Sequence, residues 1–181
     1  MINELLKEAS GKMDHAVEHT TGEFGGVRTG RANAGLLSRV TVDYYGTQTP
    51  LQQIASFSVP EARMLIVQPF DRTAIPAIER AIYEADLGLN PSNDGNLIRL
   101  AFPALTEERR RDLIKVVHRL AEEGRVAVRN VRRHAKDAIE ADDVSEDDIR
   151  RAEKELQELT DKHVGAIDEA LKRKEEELLE V

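Results

Sequence analysis

The sequence contains no cysteine and no tryptophan, and these absences narrow the chemistry open to it. Without cysteine the chain forms no disulfide, no cysteine-ligated zinc site and no thiol nucleophile. No apolar run approaches the roughly 18 residues that a membrane-spanning helix needs. The first eight residues have neither a basic start nor an apolar core, so no secretory signal is predicted. We therefore expect a soluble, cytoplasmic protein without a membrane partner.

Proline and aromatic residues are scarce and concentrated in the middle of the chain. All six prolines lie between Pro50 and Pro103, and six of the seven aromatic residues lie between Tyr44 and Phe102. Proline disrupts helix interiors, so the proline-free ends can form long helices and the middle cannot. The pattern predicts a discontinuous helical domain over 1–30 and 105–181, and an inserted domain over 31–104.

Apolar residues recur at three- and four-residue steps in both ends, which is typical of helices that pack lengthwise on one another. Thr106 and Ser145, each followed by acidic residues, are typical N-caps. The spacing predicts a three-helix bundle of the first helix and a C-terminal helical hairpin. The hairpin's two apolar series are Leu113, Val117, Leu120, Ala127, Val131 and Ala138, then Ile149, Ala152, Leu156, Leu159, His163, Ala166 and Ala170.

The middle of the chain mixes strand and helix patterns. Residues 38–44 and 65–67 favour strands, Asp71 or Thr73 can cap a short helix, and 93–96 is a turn signal before the strand-like 97–100. The fold class is therefore α+β, a three-helix bundle with an inserted small domain. The two chain crossings, at Gly30 and Arg31 and at Pro103 and Leu105, are predicted to form a hinge.

Two short motifs have competing interpretations. His15, Glu18 and His19 match the H-x-x-E-H pattern of a zinc-peptidase class, but the surrounding residues fit a bundle helix with no substrate cleft. We therefore predict no metal there and keep a metallopeptidase as an alternative. The glycines at 25–30 resemble a phosphate loop, yet the required lysine is Arg31 and the segment ends a helix. We predict no bound nucleotide and no catalytic residues.

The formal net charge of −8 argues at first against a nucleic-acid ligand. Residues 106–134, however, hold nine basic and five acidic residues. Four cations share one helix face at i, i+4, i+7 and i+11, with no acidic residue from 125 to 136. Concentrated guanidinium groups without aromatic neighbours favour the phosphate backbone of folded RNA over base stacking, a solvated face being the alternative. These four are Arg125, Arg129, Arg132 and Lys136.

Five sequence blocks, in order along the chain, resemble those of bacterial ribosome recycling factors. No single block is specific, but their order and spacing together are. They are Arg28-Thr29-Gly30-Arg31-Ala32-Asn33, Tyr44-Tyr45-Gly46-Thr47, Asp86-Leu87-Gly88-Leu89-Asn90-Pro91, Leu105-Thr106-Glu107-Glu108-Arg109-Arg110 and Val126-Ala127-Val128-Arg129-Asn130-Val131-Arg132-Arg133. Ala34 departs from the pattern, since many members have proline there.

The resemblance implies an L-shaped, tRNA-sized protein, with a long three-helix bundle and a smaller β/α/β domain on a flexible hinge. It also implies a non-enzymatic translation factor. Such a factor binds the terminated ribosome, and elongation factor G, using GTP, then drives separation of the subunits. The chain itself would need no cofactor and would act as a monomer.

The resemblance also implies residue roles. Arg129, Arg132 and Arg133 fall in the segment that contacts large-subunit ribosomal RNA, and Arg28 and Arg31 are further candidate contacts beside Arg125. The alternative from a different class is a coiled-coil adaptor that binds other proteins.

Overall fold

The computed structural model describes residues 1–180 and contains two compact units, one formed by Met1–Arg28 with the chain from Thr106 onward, the other by Thr29–Leu105. Residue 181, the last of the predicted range 105–181, lies outside the described residues. Besides 3-10 turns at Ala34–Leu37 and Arg72–Ala74, the elements are α1 (Ile2–Gly25), β1 (Thr41–Tyr44), β2 (Thr47–Pro50), α2 (Leu51–Ile54), β3 (Ala55–Glu61), β4 (Met64–Pro69), α3 (Ile75–Glu84), β5 (Pro91–Asn93), β6 (Ile98–Ala101), α4 (Glu107–Glu140) and α5 (Glu146–Leu179).

The first unit is a three-helix bundle in which α1, α4 and α5 each pack against the other two. Both predicted caps are confirmed: the Thr106 hydroxyl accepts the Arg109 N–H at 3.1 Å, and the Ser145 hydroxyl accepts the Asp148 N–H at 3.2 Å. Acidic residues follow each cap and complement the positive end of the helix dipole. The described residues include no helix that is long and apolar enough to cross a membrane.

The buried stripes of α4 and α5 follow the predicted series only in part. Leu113 and Val117 are buried as predicted, as are Ala152, Leu156 and His163. Six predicted positions each lie one residue before a buried one, because a straight helix of 3.6 residues per turn drifts away from a strict heptad; they are Leu120, Ala127, Ala138, Leu159, Ala166 and Ala170. Val131 and Ile149 are half-buried. The buried positions are instead Ala121, Gly124, Val128 and Ile139 in α4, and Thr160, Ile167 and Leu171 in α5.

His163 is a buried core histidine of the bundle, as its position in the apolar series predicts, and both of its ring nitrogens have hydrogen-bond partners. Its side chain is 5% exposed. Nδ1 lies 2.6 Å from the Leu159 carbonyl oxygen, and Nε2 lies 2.7 Å from Oδ1 of Asp14. The second contact joins α5 to α1, so a buried polar group helps to fix how these two helices align.

The second unit packs α3 against β1 and β5. Its strands form a β1–β2 hairpin and a four-stranded antiparallel sheet in the order β3-β4-β6-β5. The predicted turn at 93–96 joins β5 to β6, and Gly95 there has φ +91°, a conformation that favours glycine. Alternate residues of the central strands and the inner face of α3 form the core, which includes Leu65, Val67, Ile98, Leu100, Ile78 and Ile82.

Asp71 ties the β1 hairpin to the turn before α3. Its carboxylate accepts the Thr73 N–H at 2.9 Å and hydroxyl at 2.6 Å, and the hydroxyls of Tyr44 at 3.0 Å and Tyr45 at 3.2 Å. The hydrogen bonds from Thr73, and then from Tyr44, lower the pKa of Asp71. The hydrogen bond to this carboxylate raises the pKa of Tyr44. The two tyrosines of the sequence block therefore have a structural link inside the second unit.

Gly124 allows the three long helices to meet closely. A Cβ atom at this position would overlap Oγ1 of Thr20 on α1 and lie 3.1 Å from Cδ1 of Ile167 on α5. Thr20 cannot easily move away, because its side chain is buried and its hydroxyl donates to the Ala16 carbonyl at 2.8 Å. A glycine in a helix interior costs roughly 1 kcal/mol of helix stability relative to alanine. At position 124 the close packing of the three helices requires it.

We expect Gly124→Ala to lower the free energy of unfolding by about 1–2 kcal/mol, because overpacking outweighs the gain in helix propensity. Chemical denaturation followed by circular dichroism measures it. The matched control is Gly165→Ala in α5, where a Cβ meets nothing within 4 Å. That variant should gain about 0.5–1 kcal/mol. A Gly124→Ala protein as stable as the Gly165→Ala protein would contradict the close approach.

Candidate nucleic-acid interface

The cations predicted from their helical spacing all lie on α4, but they differ in what surrounds them. The row begins at Arg125 and ends at Lys136. The flank of α4 that carries this row faces acidic residues of α5, namely Asp168 and Glu153. The pairing across the two helices decides which cations keep an available charge.

Arg125 is held by two carboxylates. Its side chain is 18% exposed, its Nε and Nη2 both lie 2.7 Å from Oδ1 of Asp168 on α5, and its Nη1 lies 3.0 Å from Oε2 of Glu122. Desolvation alone would lower the pKa of Arg125, but the hydrogen bonds to Asp168 and Glu122 outweigh it and the pKa is raised. Arg125 therefore bridges α4 and α5.

Lys136 forms the corresponding bridge at the other end of the row. Its Nζ lies 3.3 Å from Oε1 of Glu153 on α5 and 3.5 Å from Oε1 of Glu140. The hydrogen bond and charge of Glu153, with a smaller contribution from Glu140, raise the pKa of Lys136. The two ends of the predicted row are thus neutralised within the bundle.

The cations between these bridges are more available. Arg129 is 55% exposed and makes one long contact, with its Nη1 3.4 Å from Oε1 of Glu122. Arg132 is half-buried and Arg133 is exposed. Within residues 1–180, neither Arg132 nor Arg133 forms a hydrogen bond or ion pair. Their guanidinium groups therefore remain open to an external anion, for which arginine provides a rigid set of donors.

The remaining predicted contacts, Arg28 and Arg31, lie outside α4. Both side chains are exposed, and both make interactions within the chain. Arg28 belongs to the first unit and Arg31 to the second. Their role as RNA contacts stays a prediction.

The structure brings the other predicted hinge residues together in the second unit. Gly30 has φ +76°, and a Cβ there would lie 3.4 Å from Cγ of Leu105 and 3.5 Å from the Pro103 carbonyl oxygen. The Ala32 N–H donates to the Ala62 carbonyl at 2.7 Å, which holds the adjacent chain to the turn between β3 and β4. Glycine is needed at position 30 for its conformation. Hinge motion itself stays a prediction.

The histidine motif lies on the solvent side of α1. His15 and Glu18 have side chains 83% and 75% exposed, and His15 Nδ1 is 3.6 Å from Oε2 of Glu18. His19 is also exposed. Among the described residues, no three histidine, aspartate or glutamate side chains are arranged to hold a metal ion. His15 and Glu18 thus form a solvent-exposed side-chain contact on the bundle surface, and the absence of a metal stays a prediction.

We expect Arg125→Ala to lower the free energy of unfolding by about 1 kcal/mol, because two partly exposed carboxylates lose their shared cation. A double-mutant cycle with Asp168→Ala should give a coupling energy above about 0.5 kcal/mol. Arg173→Ala is the control, since its exposed side chain pairs with Glu169 on the same helix at 3.6 Å and does not join two helices in the described part of the chain. Additive effects of Arg125→Ala and Asp168→Ala on the free energy of unfolding would contradict the bridge.

Comparison with known proteins adds evidence independent of this geometry. The family model described as ribosome recycling factor matches residues 20–179. The ribosome-recycling factor of Thermobifida fusca is 57% identical over the full length of both chains, and that of Bacillus cereus is 54% identical over the full length of both.

Solved structures agree in fold. A solution structure of a ribosome recycling factor has a TM-score of 0.77 and 45% identity, over 99% of this chain and 98% of that one. A second structure presents models of the T. thermophilus ribosome recycling factor and the E. coli elongation factor G bound to the E. coli post-termination complex. Its matching chain has a TM-score of 0.65 and 44% identity, over 99% of this chain and 100% of that one. On the family match and these full-length identities, the chain belongs to the ribosome recycling factor family.

Proposed function

We propose that this protein recycles ribosomes in the cytoplasm after translation terminates. Family membership over the whole chain is the observation that carries the proposal. The T. thermophilus relative, described with elongation factor G on a post-termination complex, supports the same two partners for this chain. The protein would act without a cofactor and without covalent chemistry, and the GTP would be used by elongation factor G.

The proposed ribosome contact is the part of α4 that lies between Arg125 and Lys136. We assign Arg129, Arg132 and Arg133 to large-subunit ribosomal RNA, because their guanidinium groups are the available ones in this segment. Charge-assisted bonds from arginine to phosphate are short, strong and frequently bidentate. Arg125 has a different part in the proposal: its bridge to Asp168 holds α4 against α5 and so supports the contact surface.

The activity is tested directly on ribosomes. Purified post-termination complexes mixed with this protein, elongation factor G and GTP should separate into subunits, seen as a fall in light scattering. Omitting either protein or GTP should leave the complexes intact, because the proposed mechanism needs a bound factor and a GTP-driven push on it. Intact complexes in the full mixture, with an elongation factor G that translocates normally, would refute the proposed function.

The arginine contact is tested by the salt dependence of ribosome binding. Arg132→Ala and Arg133→Ala should each weaken binding and reduce the slope of log affinity against log salt by about 1. The reason is that binding releases fewer counterions from the RNA when one phosphate contact is missing. Sedimentation of ribosomes with bound protein at several salt concentrations measures both quantities.

Arg173→Ala is the matched control for this measurement. It removes the same charge from an exposed position of the same unit. Its slope should equal that of the unaltered protein. Equal slopes for all three variants and the unaltered protein would contradict the arginine contact, and binding that is insensitive to salt would favour the coiled-coil adaptor.

A further inference from the structure

A groove of about 150 Å³ lies on the bundle surface between α1 and α4. Its floor is apolar: Ala9 is buried, and Leu5 and Val131 are half-buried. The exposed Ala138 lines one side. Alanine at positions 9 and 138 leaves open a space that larger side chains would fill, so the groove follows directly from the sequence of these two helices.

Polar groups from both helices line the same groove. Glu8 and Lys12 come from α1 and form an ion pair at 2.6 Å, and both side chains are about 60% exposed. The hydrogen bond and charge of Lys12 lower the pKa of Glu8. His134 comes from α4 and is exposed. The rim therefore offers a carboxylate acceptor, an ammonium donor and an imidazole that can donate and accept.

The groove is adjacent to the proposed arginine contact. His134 directly follows Arg133, and successive residues of a helix are about 100° apart around its axis. Arg132 lies on the flank toward α5, since Arg125 and Lys136 on the same flank both pair with α5. Arg133 then occupies the exposed ridge, and His134 the side toward α1. An RNA strand that crosses α4 from Arg132 over Arg133 would arrive at the groove.

We propose that this groove binds one unstacked nucleobase of the RNA held by Arg132 and Arg133, an inference that rests on the function proposed above. A cavity of about 150 Å³ in another protein takes up one benzene ring, so the space suits a planar heterocycle. The ring faces would contact Leu5 and Val131, and its polar edge would reach the rim. A purely apolar side chain would instead desolvate that rim without giving it hydrogen bonds.

The nucleobase is the occupant that fits both parts of the surface. Recognition of RNA outside regular helices commonly uses bases that are splayed out of the stack, with their edges hydrogen-bonded and their faces covered. Arg132 and Arg133, which have no ion pair in the described part of the chain, suit the phosphates of the same strand. A single class of ligand can therefore contact the apolar floor, the polar rim and the two arginines.

The groove is tested by filling it without changing any charge. Ala138→Leu places a larger side chain at its exposed edge, and leucine has nearly the helix propensity of alanine. Ribosome binding should weaken about fivefold, because a base excluded from the apolar floor gives up roughly 1 kcal/mol of apolar burial, while the salt slope stays the same. Ala166→Leu is the control, because it adds the same side chain at an exposed position of α5 outside the groove.

Probing with dimethyl sulfate, which modifies the pairing edges of adenine and cytosine, together with a carbodiimide, which modifies those of uracil and guanine, identifies the occupant. At least one ribosomal RNA base should be protected by the unaltered protein and reactive again with Ala138→Leu at saturating concentration. Unchanged affinity of Ala138→Leu would overturn the groove proposal, and so would weaker binding without any such base, which would indicate a protein side chain as the occupant. Either result leaves the salt slope of the arginine contact intact. Failure of the proposed function would instead appear as post-termination complexes that stay intact with the unaltered protein, elongation factor G and GTP.

Discussion

The close approach of the three long helices at Gly124 sets the register on which the helical unit depends. Thr20 of α1 and Ile167 of α5 both reach this position, and neither leaves room for a Cβ atom there. The next residue of each C-terminal helix then forms the Arg125–Asp168 bridge. The positions of the charged side chains thus follow from the packing of uncharged ones, because a helix that shifts by one residue turns every side chain by about 100°.

This register also explains how an acidic chain can present a basic surface. Acidic residues of α5 occupy the two ends of the row on α4, through Asp168 and Glu153. A cation already paired with a carboxylate must give up that pair to bind a phosphate, whereas Arg132 and Arg133 have no such pair among residues 1–180. Within this row, pairing with α5 therefore leaves the available positive charge on Arg129 and Arg132, with Arg133 beside them, and the net charge of −8, which sums over the whole chain, does not reveal it.

The sequence predicted the features that are encoded locally. Thr106 and Ser145 fix the starts of α4 and α5 through single hydrogen bonds to nearby N–H groups, so spacing alone was sufficient to place them. It could not separate Arg125 from Arg132, because the difference lies in the partners across the helix interface. For the same reason, the sequence alone indicates only that Gly124 costs helix stability. Its close contact with Thr20 is visible only in the folded structure. The short strands β2, β3 and β5 carry little alternation of buried residues, and they were not predicted.

The pairing with α5 changes which side chains of α4 can contact one ligand together. Spacing at i, i+4, i+7 and i+11 indicates a binding row along the helix, yet both ends of that row are engaged with α5. Three consecutive residues, Arg132, Arg133 and His134, instead fan around the helix from the α5 flank over the exposed ridge to the α1 groove. A ligand that contacts Arg132, Arg133 and His134 together therefore crosses α4, while Arg129 extends the available charge along the helix. Because α4 packs against both neighbours, the backbone positions from which these three side chains project are fixed relative to one another, so one RNA segment could present a phosphate and a base to them together.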